Sequence, residues 1–236
     1  MKPAHAALGI LLLAGAAAAL AYRRAAGFDD AAAPEAADDD GSRWTDQLPS
    51  LGELIDSNQA ESNERLQQMT AIINGDQNVD ALLEAIARAE GTIGRGDPYR
   101  VAFGYRVTIK NLSDHPAITG EWMGEKLPDN QCKAAGFGPG CVSTAAGKYQ
   151  ITRTTWRKLK PRLNLRDFSP ASQDAAAVEL LRECGALALI QAGQFEAAVR
   201  AARRIWASLP GSGYEQPERS MAWLQDRYTE AGGMLA

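Results

Sequence analysis

The chain reads as an α+β fold, a mainly helical lobe with one small β lobe set into it. Three observations lead there. Apolar residues recur at helical spacing in several separate segments, strand-like alternation occurs in one stretch only, and a Gly/Pro-rich segment with two cysteines follows that stretch. A length of 236 residues admits one globular domain with appendages, divided here at 1–26, 27–78 and 79–236.

The elements follow in order. Residues 6–22 are apolar and alanine-rich, close to the lower limit of about 17 residues for a membrane span. Ala19-Leu20-Ala21 fits a small-x-small cleavage site, whereas Arg23-Arg24 suit a helix whose C-terminal end faces the cytoplasm. A cleaved export signal, a stable anchor and a marginal anchor that can leave the bilayer all fit, so an N-terminal membrane or signal helix is expected. Residues 27–43 are acidic and nearly devoid of large apolar side chains, which predicts an unfolded linker. Leu66, Met69 and Ile73 share one helical face, which suits a packing helix, a partner helix or a short coiled coil. Asn74-Gly75-Asp76 breaks that pattern and sets the domain boundary.

Leu82, Leu83, Ile86 and Ala89 then define an amphipathic helix, and Gly91 supplies its stop. Glu90 falls in the last turn, where the carbonyl ends of the helix oppose a negative charge. Together with burial, that field would raise its pKa, as a general acid working near neutral pH requires. Gly94, Gly96, Asp97 and Pro98 form a loop, and residues 99–110 alternate as a strand would. Helices are expected at 152–160, 169–184, 195–205 and 217–231, with Ser169-Pro170 and Glu218 as starts.

Charge and cysteines narrow the setting. The net charge of -4 hides -12 over residues 27–90 and +5 over residues 91–236. A mildly basic C-terminal two-thirds suits a polyanionic partner, but no dense Lys/Arg run with interleaved aromatics points to nucleic acid. Eight residues separate Cys132 from Cys141 in the Gly/Pro-rich segment. A bridge there would contribute roughly 2–3 kcal/mol and imply an oxidising compartment such as the periplasm. Cys184 reads as a small buried hydrophobe. Two histidines and no CxxC leave no metal-ligand cluster, and no cofactor is implied.

Four blocks carry a resemblance: Ala89-Glu90-Gly91-Thr92, Ser113-Asp114-His115-Pro116, Ala146-Gly147-Lys148-Tyr149-Gln150, and Ile205-Trp206-Ala207-Ser208-Leu209-Pro210-Gly211-Ser212-Gly213-Tyr214. In this order and spacing, residues 80–233 resemble the phage lambda-type endolysins, lysozyme-like lytic transglycosylases of peptidoglycan. The resemblance implies a lysozyme-like fold with an active-site cleft between the lobes. It also implies cleavage of the β-1,4 bond between N-acetylmuramic acid and N-acetylglucosamine, and a 1,6-anhydromuramoyl product. Glu90 would give a proton to the leaving oxygen and then take one from the substrate's own C6 hydroxyl. A Gly/Ala-rich N-terminal anchor that tethers and then releases the enzyme also occurs among phage endolysins.

Tyr149, Gln150, Tyr214, Asp114 and Ser113 are the candidate substrate contacts, with lobe packing the alternative for Tyr149. A hydrolytic lysozyme would need a second carboxylate, and Asp97 and Asp114 are the candidates. A turn-forming role for Asp97 and a loop-capping role for Asp114 compete with that. His115 reads as a loop histidine, Trp206 and Leu209 as core, and Trp122 as either a cleft cover or a loop anchor. The expected partners are peptidoglycan glycan strands and, through residues 6–22, the membrane. The expected setting is the periplasm, with a monomeric catalytic domain used in host lysis or virion entry. A non-catalytic wall-binding protein is the rival from another class.

Overall fold

The computed structural model describes residues 51–236. The expected membrane or signal segment at 6–22 and the acidic linker at 27–43 lie outside them. Among the described residues no helix is long and apolar enough to cross a membrane. Nine α-helices are present there: α1 Leu51–Gly75, α2 Gln77–Ala89, α3 Pro116–Thr119, α4 Asp129–Ala134, α5 Arg153–Arg162, α6 Pro170–Glu183, α7 Ala186–Gln191, α8 Phe195–Ala202 and α9 Met221–Glu230. Two short strands, β1 Glu125–Lys126 and β2 Val142–Ser143, pair antiparallel with Glu125 opposite Ser143.

Helix α2 occupies the centre. The Asp76 carboxylate caps its start, accepting the N–H groups of Asn78 at 3.1 Å and Val79 at 3.2 Å. Val79, Leu82, Leu83 and Ile86 are buried, and each contributes ~1.5–3 kcal/mol of apolar burial. Ala81, Ala85, Ala87 and Ala89 are buried too, so α2 is enclosed nearly all round, by α9, α7 and α1. Helix α1 packs on α6 as well, with Met69 buried and Leu66 partly so. Beyond this apolar contact, the Gln59 and Asn63 side chains of α1 hydrogen-bond Asn164, just past the end of α5. These described residues form one compact unit.

The strand expected over 99–110 is absent. Its backbone groups are satisfied by side chains and single bridges in place of a ladder. The Arg100 guanidinium donates to the carbonyls of Ile109 and Lys110 at 2.9 and 2.8 Å, and the Glu121 carboxylate accepts the N–H groups of Lys110 and Asn111. Gly104 and Tyr105, both at positive φ, turn the chain between bridges at Val101–Thr108 and Ala102–Ala146. The sheet forms instead inside the Gly/Pro-rich segment that follows, with its strands at 125–126 and 142–143.

The C-terminal helix also starts later than its pattern suggests. The Glu218 carboxylate is taken by Gly211 N–H, Gly213 N–H and the Ser212 hydroxyl, which hold it in the preceding loop, and Ser220 caps α9. Those bonds keep the Glu218 carboxyl below its ordinary range.

Glu179 on α6 is a fully buried carboxylate. Arg162 of α5 and Arg182 of α6 hydrogen-bond it, and Arg65 of α1 stands 3.8 Å away. Three helices thus share one counter-ion. Glu179→Ala removes it and leaves the guanidiniums to rehydrate at their exposed edges. The expected cost is ~2–3 kcal/mol of unfolding free energy in urea titrations, and a change under ~0.5 kcal/mol would mean that apolar packing alone holds α1 and α5 in place.

Candidate active site

Glu90 is the residue on which α2 ends. Gly91 N–H donates to the Arg88 carbonyl and Thr92 N–H to the Ala87 carbonyl, the paired bonds of a Schellman close. Gly91 has φ +70°, and a Cβ there would stand 3.2 Å from the Tyr105 hydroxyl. The Thr92 hydroxyl lies 3.0 Å from the Ala87 carbonyl and 2.8 Å from that of Lys148, tying the helix end to the Gly147–Gln150 turn. The Tyr105 hydroxyl donates to the Glu90 carbonyl at 2.8 Å, and the Arg95 guanidinium sits 4.1 Å over the Tyr105 ring.

The Glu90 side chain has one hydrogen-bond partner of note. Ser208 Oγ donates to its Oε1 at 2.7 Å. Burial drives the carboxyl up from 4.5 to about 7, while the Ser208 hydroxyl and backbone N–H pull the other way. Ser208 is held by its neighbours: Trp206 Nε1 donates to the Tyr149 carbonyl at 3.0 Å, Leu209 is fully buried, and Arg219 N–H donates to the Ser208 carbonyl at 2.8 Å.

The rim is built from two further segments. Cys132 and Cys141 are disulfide-bonded with Cα atoms 5.7 Å apart, closing the excursion that carries α4 and leads into β2. Asn130 Nδ2 of α4 donates to the Glu215 carboxylate at 2.9 Å, and Glu215 lies seven residues beyond Ser208. On the opposite edge, the Glu125 side chain of β1 lies against Gly104, next to Tyr105. Glu90 is thus contacted by Ser208 on one side and by Tyr105 on the other.

The other sequence candidates fall elsewhere. Tyr149 is 2% exposed, and its hydroxyl donates to Asp174 at 2.6 Å beside that of Tyr99. It packs in the interior and lines a cavity of about 450 Å³ with Tyr99, Lys148 and Asp174, whose lining does not include Glu90. Gln150, also buried, donates from Nε2 to the carbonyls of Val101 and Gly147 and braces its own turn at φ +50°. Gly147 there allows Gln173 to come close, since a Cβ would fall 2.0 Å from Gln173 Oε1.

Asp114 accepts from Trp156 Nε1 at 2.7 Å and from Lys160 Nζ at 2.6 Å. Burial pushes its carboxyl up, but Lys160, the His115 N–H and Trp156 together hold it below the ordinary range. Ser113 is exposed, and its N–H donates to the Asn111 side chain. Asp97 caps a 3-10 turn and pairs with Arg100 at 3.2 Å. His115 is buried against Phe168, caps α3 through Nδ1, and has its pKa lowered to about 4 by burial. Trp122 anchors its loop within the core. Tyr214 is partly exposed, and its hydroxyl donates to the Arg204 carbonyl. Ser208 and Tyr105, both at Glu90, carried no assigned role in the sequence reading; among sequence features, only the place of Ser208 in the fourth block hinted at one. No group of side chains suited to a metal ion occurs among the described residues.

Comparison with known proteins places these residues in a family context. The family described as Endolysin matches residues 80–235. The endolysin of Escherichia phage P2 is 39% identical over 165 residues, spanning 70% of this chain and 99% of the P2 protein. That of Escherichia phage lambda is 36% identical over 160 residues, spanning 66% of this chain and 91% of the lambda protein. Two solved structures are similar. One is the lambda lysozyme complexed with a chitohexasaccharide (TM-score 0.56, 33% identity) and the other the lambda lysozyme (TM-score 0.54, 32% identity), each covering 68% of this chain and 97% of its own.

The raised Glu90 pKa has a consequence for stability. A carboxyl whose folded value exceeds its unfolded one stabilises the fold fully below about 4.5 and loses that contribution as pH rises to about 7. Glu90→Gln removes the ionisable group, so the variant should match wild type near pH 4 and exceed it by roughly 2–4 kcal/mol above pH 8. Parallel denaturation at both pH values checks this, and an equal offset at both would refute it. Ser208→Ala takes away a donor to the carboxylate, so the Glu90 midpoint in a carboxyl NMR titration should move up, not down.

Proposed function

The chain belongs to the endolysin family, and on that premise we propose that Glu90 is its sole catalytic carboxylate, working as a lytic transglycosylase. As an endolysin it is a peptidoglycan-degrading enzyme of phage lysis. One observation carries the finer reading. Glu90 combines a half-buried carboxyl, a pKa raised to about 7 and a single polar side-chain partner, Ser208, while Asp97 and Asp114 are committed to a turn and to the Trp156–Lys160 pair.

In this reading protonated Glu90 gives its proton to the glycosidic oxygen as the bond to the muramoyl C1 breaks. The oxocarbenium-like centre is stabilised by the substrate's own N-acetyl group. The C6 hydroxyl of the same sugar attacks C1, and Glu90, now a carboxylate, takes its proton. The ring closes as 1,6-anhydromuramic acid, and the acid is regenerated without water. Ser208 favours the ionised form in the second half, and burial favours the protonated form in the first. The chitohexasaccharide held by the related lambda lysozyme supports a glycan strand as the ligand. The Cys132–Cys141 bridge suits the periplasm as the place of action, reached by means of residues 6–22.

Mass spectrometry of muropeptides released from purified peptidoglycan by the full chain tests this reading. Anhydro ends, one water lighter than reducing ends, are expected. Glu90→Gln should lower turnover by ~10³-fold or more with wall binding retained, and Asp114→Asn should still give anhydro ends despite a less stable fold. Reducing ends from the wild type would instead identify a hydrolytic lysozyme. Full turnover by Glu90→Gln would remove Glu90 as the catalytic acid, and no products from the wild type with wall binding intact would return the protein to wall binding.

A further inference from the structure

A groove of about 780 Å³ opens on the helical body between α5, the end of α6 and the end of α8. Lys158, Arg200, Arg203 and Arg204 line it, with Glu183 the one acid among the lining residues and Cys184 and Ile205 as apolar wall. Two of these cations are already matched. Lys158 pairs with Glu183 at 3.2 Å, although Glu183 is shared with Arg162, and Arg200 pairs with Glu196 at 3.1 Å. The guanidiniums of Arg203 and Arg204 have no acidic partner among the described residues. Arg203 Nη1 lies against the Pro210–Gly211 turn, 3.3 Å from where a Gly211 Cβ would be, and the Arg204 carbonyl accepts from Tyr214. The groove thus adjoins the loop that carries Ser208 to Glu90. Along the chain, the four residues from Arg204 to Ser208 span at most ~14 Å.

We infer that this groove takes the peptide stem of the glycan strand, with Arg203 and Arg204 receiving its free carboxylates. The inference rests on the peptidoglycan-cleaving reading above. A strand cleaved at Glu90 carries, on the lactyl group of its muramoyl unit, a short peptide with acidic groups and small apolar side chains. Each extended stem residue spans ~3.5 Å, so a few residues bridge the distance from cleft to groove. Guanidinium pairs recognise carboxylates bidentately, and Ile205 with the Cys184 edge offers surface for methyl groups. Concavity favours a peptide over a bilayer. A membrane would need a protruding basic face with apolar anchors, whereas a concave volume of this size suits a small ligand or a short stretch of peptide.

The test compares two substrates with the full chain: intact peptidoglycan, and the same glycan stripped of stems by an amidase. Arg203→Gln with Arg204→Gln should lower kcat/KM on intact wall by ~10-fold and change it by less than ~2-fold on stripped glycan. Arg200→Gln, on the exposed face of α8, should show a smaller loss in the same direction and guards against misfolding of the double variant. Added salt should depress wild-type turnover on intact wall more than on stripped glycan. Equal loss on both substrates, or no loss on either while the wild type cleaves both, would overturn the stem assignment. So would unchanged cleavage with lost binding to phosphatidylglycerol vesicles, which would make the groove a lipid site. A wild type that cleaves neither substrate would instead sink the proposed function.

Discussion

The hydrogen bond from Ser208 to Glu90 joins residues 118 positions apart, and much of the molecule exists to make it possible. One end is delivered by α2, whose alanines let α9, α7 and α1 close around it. The other is delivered by a loop pinned through Trp206, Leu209 and the Glu218 carboxylate. Between them lies the Gly147–Gln150 turn, held by Thr92 from one side and Gln173 from the other. Gln173 is fully buried and spends both ends of its amide on backbone groups of three segments, Lys148, Tyr99 and Phe168. Its loss would leave several buried polar groups unpaired, each costing ~1–3 kcal/mol. Positioning of the acid is thus paid for largely by residues that never face substrate.

Two opposed effects meet at the Glu90 carboxyl. Removal from water raises its pKa, and the Ser208 donor lowers it, with the balance near 7. A residue that must first lose and later regain a proton works best when neither state is strongly favoured. Full burial without Ser208 would make an acid that is slow to give its proton. A solvated helix end would make one that is already ionised at neutral pH. The sum of a few kcal/mol on either side decides between those cases.

How much of this was legible depends on whether the signal is local. Glu90 could be found because an amphipathic helix and the Gly91 stop lie within a dozen residues of it. The later helices were readable for the same reason, although Glu218 was drawn into α9 because its role as a loop anion depends on three loop donors upstream of it. The strand over 99–110 had the right residue types, but Arg100 and Glu121 satisfy its backbone from the side chain, and no pattern of apolar residues reports that. Tyr149 and Gln150 are substrate candidates because their chemistry suits sugars, with lobe packing the alternative for Tyr149 that its burial favours. Residue type does not say which way a side chain points, and Asp174 claims one while backbone carbonyls claim the other. Ser208 was invisible as a partner because its contact is long-range and serine is common in loops.

The rim is held differently from the base. Under Glu90, buried aromatic and aliphatic contacts and buried hydrogen bonds form one packed body. Across the opening, the contact between Asn130 and Glu215 is exposed, and a bond of that kind is worth only ~0.5–1.5 kcal/mol net. The disulfide keeps the excursion between Cys132 and Cys141 intact as a piece, so yielding at the rim means displacing that piece as a unit.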